Sequence, residues 1–156
     1  MAESESPRRQ EVSGGQVRLD RIYLKDASFE SPNSPGIFGE RAQLEFQLDI
    51  NSRTAALAED RVEVVLALTL RAKGAGGKTA YIVEVHQAGI FQISGFDAQT
   101  TQRVLGTFCP GTLFPYARET VDALVVRGGF PAVHLQPVNF DALFAEAMRK
   151  QTAVAH

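Results

Sequence analysis

Thr112–Phe144, TLFPYARETVDALVVRGGFPAVHLQPVNFDALF, decides the fold reading, because a Gly/Pro-rich loop here separates two helical periods. Leu113, Ala117, Val121, Leu124 and Val125 fall on one helical face. The helix is expected to start near Leu113–Pro115, with Pro115 tolerated in its first turn, and to stop at Gly128–Gly129. Phe130–Pro137 reads as a loop. Asn139 then caps a last helix, with Val138 and Leu143 placed as a hydrophobic staple. Phe140, Leu143, Phe144, Ala147 and Met148 make its apolar stripe, and Arg149–Lys150 suit its negative end. Upstream, Val104, Leu105 and Phe108 give a shorter helix that Pro110–Gly111 should stop.

Before Phe96 the period is two. Ala42, Leu44, Phe46, Leu48 and Ile50 share one parity, and Val62, Val64, Leu66, Leu68 and Leu70 repeat the pattern. Each reads as a strand with one wet face. Lys78–Gln87 is a third strand, entered through a Gly-rich hairpin turn at Lys73–Gly77. Val17–Glu30 is a fourth, and its pattern slips parity between Leu19 and Ile22, which predicts a bulge near Asp20–Arg21. The prolines of Ser31–Gly36 cannot continue a ladder, so this stretch is a crossing loop and the first two strands need not be hairpin partners. Strands followed by helices predict an α+β domain: a four-stranded antiparallel sheet with helices packed on one face.

Length and composition narrow the function classes. The chain has 156 residues, 44% hydrophobic and 22% charged, which suits one ordinary domain. A net charge of −2, with no basic run longer than two, argues against nucleic-acid binding. A lone Cys109 fits a reducing compartment, the N-terminus lacks a secretory signal, and no apolar run is long enough to span a bilayer. A cytoplasmic protein is expected, with tails at residues 1–16 and 151–156 flanking a domain at 17–150.

Chemistry is sparse. His86, His134 and His156 are far apart in sequence and carry no metal-ligand spacing, so neither a metal nor a cofactor is expected. Cys109 reads as a small buried hydrophobe, although a dyad with His86 or His134 stays open. Glu119 and Asp122, one helical turn apart, are either a carboxylate pair or a solvated face. Gly74–Gly77 lacks the Lys-Ser/Thr of a phosphate loop. No catalytic residue is assigned.

Five segments carry a resemblance. RIYLKDASFESPNSP (Arg21–Pro35), VEVHQAGIF (Val83–Phe91), LFPYARE (Leu113–Glu119), GGFP (Gly128–Pro131) and PVNFDALF (Pro137–Phe144) resemble the bacterial protein-export chaperones of the SecB family. The likeness runs from about Leu19 to about Arg149 in family order. It implies an ATP-independent holding chaperone, not an enzyme, that keeps presecretory proteins unfolded and delivers them to the motor ATPase SecA. It implies a homotetramer, a dimer of dimers, with a client groove lined by the crossing loop, the second strand and the last helix. Here the groove residues would be Phe38, Leu44, Phe46, Leu48, Phe140 and Phe144. By strand pattern alone, Leu44, Phe46 and Leu48 are equally a core face. SecA would dock on Asp26, Glu30, Ile82 and Glu84, which alternation puts on the wet sheet face. A SecB-like chaperone dedicated to a toxin–antitoxin partner shares the fold and is the alternative. The chain departs from the family in its ending, RKQTAVAH, which replaces a polar or acidic tail that can add a SecA contact.

Overall fold

The period-two stretches form one antiparallel sheet of five strands: β1 (Gln10–Val12), β2 (Gly15–Glu30), β3 (Glu45–Ala58), β4 (Arg61–Lys73) and β5 (Thr79–Ser94). Helices α1 (Ala98–Gly106), α2 (Phe108–Arg127) and α3 (Phe140–Val154) follow. The computed structural model describes residues 10–12 and 14–154. The sheet order is β1-β2-β5-β4-β3, so the first and second long strands are not neighbours. The crossing loop carries the chain between them and is pinned to the start of β5. Ser31 Oγ donates to the Ala80 carbonyl at 2.9 Å and Asn33 Nδ2 to the Thr79 carbonyl at 2.9 Å.

Register explains the core. Val83 faces Leu70 and Phe29 across the ladders, and Val85 faces Leu68 and Ala27, so one sheet face is continuously apolar. α2 covers that face, contributing Leu113, Phe114, Ala117, Val121 and Val125 to the core. Gln87 is buried on the same face, and its Nε2 donates to the Tyr23 carbonyl at 3.0 Å, so its burial leaves no donor stranded there.

Several expectations shift. Residues 10–12 and 15–16 are strand rather than tail, while residues 1–9 lie outside the described residues. Likewise α3 runs through Val154 instead of ending at Lys150; residues 155–156 are outside the described residues. β3 begins at Glu45, which leaves Ala42 and Leu44 in the approach to the strand, and it continues to Ala58. β5 continues past Gln87 to Ser94. β2 does break register at Asp20, as the parity slip predicts, and breaks it again at Lys25. Pro110–Gly111 does not stop a helix. The break falls earlier, at Thr107 (φ −125°, ψ −66°), and α2 starts at Phe108. Pro110 thus lies in the first turn, where its missing N–H costs nothing. Pro115 falls inside the helix, and the residue whose carbonyl its ring crowds is Gly111.

Candidate functional site

The edge position of β3 creates a groove. Phe46, Leu48 and Ile50 pair with Ala72, Leu70 and Leu68 and so face the helix side of the sheet. α2 packs over β5 and β4, leaving this edge less covered. Three depressions follow the chain from Ala42 to Ser52. The first, about 310 Å3, lies between Phe38 and Leu44 on one side and Phe130–Pro131 on the other. The second, about 340 Å3, is bounded by Leu44, Phe46, Tyr81 and Pro131–Val133. The third, about 360 Å3, lies between Ile50–Ser52 and the α3 residues Phe140, Leu143 and Phe144.

Five of the six expected groove residues line these depressions. Phe38 is 51% exposed and Phe46 52%, and neither exposure is forced by the core. Phe38 rests its ring 5.1 Å from that of Phe130. Leu48 is the sixth; it is half-buried and packs against the core, lining none of the three. Phe140 serves both roles, being only 8% exposed and meeting Phe114 edge-on at 6.0 Å. Phe144 lies under the Arg103 guanidinium, 5.5 Å from ring centre, and closes against Gly106, where a Cβ would come within 2.5 Å of the ring. The Asn139 cap forms, its Oδ1 accepting from Ala142 N at 3.0 Å. Val138 packs on the core, but Leu143 is exposed, facing the third depression.

The groove wall Pro131–Val133 is fixed by Asp122, which the sequence leaves open between a carboxylate pair with Glu119 and a solvated helix face. Asp122 Oδ1 accepts from Val133 N at 3.0 Å and from His134 N at 3.1 Å, while its Oδ2 is 3.3 Å from His134 Nδ1. His134 itself adopts a left-handed φ of +53° at this point of the loop. Glu119 is exposed and does not share this cluster. Spacing placed both acids on the helix, but only the returning loop decides which one binds backbone.

The opposite sheet face brings the acidic residues together. Glu30 pairs with Ile82, Ser28 with Glu84 and Asp26 with His86, so Asp26, Glu30, Ile82 and Glu84 occupy three alternate rungs of one ladder and share its face. Nearby cations are held elsewhere: Lys25 Nζ is 2.8 Å from Glu63 Oε1, and Arg71 Nη1 is 2.7 Å from Asp49 Oδ2. Among the described residues no Lys or Arg pairs with Asp26, Glu30 or Glu84, and Glu84 Oε1 meets only His86 Nε2, at 2.8 Å. The donation from Lys25, then the hydroxyl of Tyr23, hold the Glu63 carboxyl below its ordinary range.

The candidate dyad is not assembled as chemistry. Cys109 is buried in the core, and burial pushes its thiol up to about 12, far from a reactive thiolate. His86 lies on the wet sheet face and His134 is clamped to Asp122; His156 is outside the described residues. Among the described residues no cluster has metal-ligand composition, and no helix is long and apolar enough to cross a membrane.

Comparison with known proteins agrees with this architecture. Residues 10–151 match the family described as preprotein translocase subunit SecB. The chain is 53% identical over 135 residues to the protein-export protein SecB of Hahella chejuensis, covering 86% of this chain and 84% of that one. It is 51% identical over 138 residues to that of Marinomonas sp., covering 88% and 86%. Among solved structures, a Mycobacterium tuberculosis SecB-like chaperone in complex with an antitoxin peptide superposes with a TM-score of 0.65. It is 18% identical, with 79% of this chain and 91% of that chain covered, which is likeness of fold alone. With a family match spanning nearly every described residue and relatives half identical over most of its length, the chain belongs to the SecB family.

Proposed function

We propose that this protein is an ATP-independent holding chaperone that keeps presecretory proteins unfolded in the cytoplasm and delivers them to SecA. The observation that carries the reading is the groove along β3, with half-exposed Phe38 and Phe46 at its rim. Exposed aromatic area beside a rigid wall binds many sequences weakly, and several depressions in a row add their contacts along one extended chain. The names of the half-identical relatives, protein-export proteins, support the export role over the antitoxin-dedicated one. No cofactor or catalytic residue enters this scheme.

Delivery would use the acidic face. Asp26, Glu30 and Glu84 present negative charge that no Lys or Arg among the described residues pairs, with Ile82 beside Glu30 as an apolar contact, the complement of a basic partner surface. Assembly would be a dimer of dimers. Among the described residues β2 is paired by β1 over Gly15–Val17, and Arg18–Glu30 would offer its edge to a second copy. The outer side of α2 exposes Phe108, Tyr116 and Val126, apolar area that a second pair of subunits would cover.

The test is light-scattering mass together with aggregation kinetics of a refolding secretory precursor, without ATP. Suppression by a tetramer-sized particle is expected; a monomer with no effect on aggregation refutes the reading. Glu84→Lys is then expected to weaken SecA binding with client holding intact, and equal loss of both would refute separate sites.

A further inference from the structure

Histidine is the side chain whose charge changes between about pH 5 and pH 8, and the acidic sheet face carries one, His86. Along β5, Glu84 and His86 are two residues apart and share the wet face, and His86 pairs with Asp26 of β2. His86 Nε2 lies 2.8 Å from Glu84 Oε1; an ionised carboxylate only accepts, so the ring donates. The imidazole side chain is 19% exposed against 44% for Glu84, so the ring is tucked beside a carboxylate that faces solvent. The other charged groups around it already have partners or share its face as acids. On β2, Asp26 stands opposite, and Lys25 in the bulge beside it is held by Glu63. On β4, Ala67 stands opposite, with Val65 and Thr69 on the neighbouring wet-face rungs; Arg71, further along, is held by Asp49 of β3. Beyond Ala67, β3 brings Asn51, which is neutral. A neutral ring therefore leaves Asp26, Glu30 and Glu84 at full strength, and an imidazolium offsets one of their three charges.

We propose that His86 sets the affinity of the acidic face for its basic partner. In the neutral form the ring only orients the Glu84 carboxylate; in the imidazolium form it competes with a Lys or Arg of the partner for that same carboxylate. The proposal rests on the reading of this face as the SecA-docking surface. Association favours the neutral ring, so by linkage docking expels the proton from a protonated His86, and it weakens as pH falls. The size follows from Coulomb's law. One unit charge placed about 7 Å from a cation of the partner changes affinity about three-fold in water, and salt screens the effect.

The experiment measures SecA binding to the full-length protein by isothermal titration calorimetry, at low and constant ionic strength, from about pH 8 down to about pH 5.5. His86→Gln keeps a donor for Glu84 and does not titrate, while His86→Lys carries the charge throughout this range. Groups of SecA that titrate act equally on all three proteins and cancel in the comparison. Wild-type affinity should fall about three-fold more than that of His86→Gln across the range, and His86→Lys should stay about three-fold below His86→Gln at the alkaline end. Raised salt should shrink both differences. In the wild type alone, binding heats in two buffers of unequal ionisation enthalpy should show protons released near about pH 6.5, a readout that needs no variant to fold. Identical pH profiles of the wild type and His86→Gln overturn the role of His86, as does His86→Lys binding as tightly as His86→Gln, or proton uptake on docking. Should the wild type suppress aggregation yet bind no SecA at any pH, the docking reading fails first, and the role of His86 with it.

Discussion

Replacing Phe46 by alanine separates a groove residue from a core residue, and the structure sets the size of each outcome. Burying a phenylalanine completely is worth ~1.5–3 kcal/mol. Phe46 keeps 52% of its surface exposed, so about half that transfer energy, ~1 kcal/mol, is at stake in folding. The edge position adds little cavity cost, because the vacated space opens to solvent. Phe140, at 8% exposure and packed on Phe114, is the internal control; its alanine variant should lose ~3–5 kcal/mol. Urea denaturation reads both values, and for a chain of this size the Phe46→Ala melting point should fall by only about 2–4 °C. In aggregation suppression, Phe46→Ala should need a several-fold excess to match the wild type. A stability loss as large as that of Phe140→Ala would make Phe46 core. A small loss with undiminished client holding would remove Phe46 from the groove. Either result refutes the reasoning.

Two further outcomes are expected. Cys109, whose thiol burial pushes up to about 12, should resist a disulfide reagent at pH 8 in the native protein and react at once in urea; fast native labelling would contradict its packing. Glu63 titrates below its ordinary value of 4.5 because Lys25 and Tyr23 hydrogen-bond its ionised form. That contribution to stability is therefore present above the ordinary value and lost as pH falls through the lowered one. Glu63→Gln should flatten the acid decline of the urea midpoint, and an unchanged acid limb would refute the link.

How much of this was legible in the sequence depends on whether the signal was local. The bulge at Asp20 was visible because Leu19 and Ile22 change parity around it. Its counterpart at Lys25 was hidden, because Lys25 and Asp26 are both polar and a slip between polar residues leaves no trace. The far half of β3, with Asn51, Ser52 and Thr54, lacks apolar alternation and is strand because β4 pairs with it. The start of α2 before Pro110 was hidden, because a proline in a first turn and a proline at a stop leave the same signal. Alternation put Asp26, Glu30, Ile82 and Glu84 on one face correctly, since period two is geometric. Whether Phe46 and Leu48 were groove or core could not be read, because that depends on β3 lying at the sheet edge, a fact of strand order. The role of Asp122 likewise depends on a loop returning from elsewhere in the chain.

The clamp at Asp122 has a thermodynamic consequence. Two backbone amides of the Pro131–His134 wall are already bonded to a helix that belongs to the core. The wall therefore enters any association with its conformational entropy already spent during folding. Ordering on binding then falls almost wholly on the occupant, a flexible chain that loses freedom with every residue it lays down. Such an association should weaken steeply as the occupant's own preference for a folded state grows, so a rigid groove sorts chains by how weakly they favour that state.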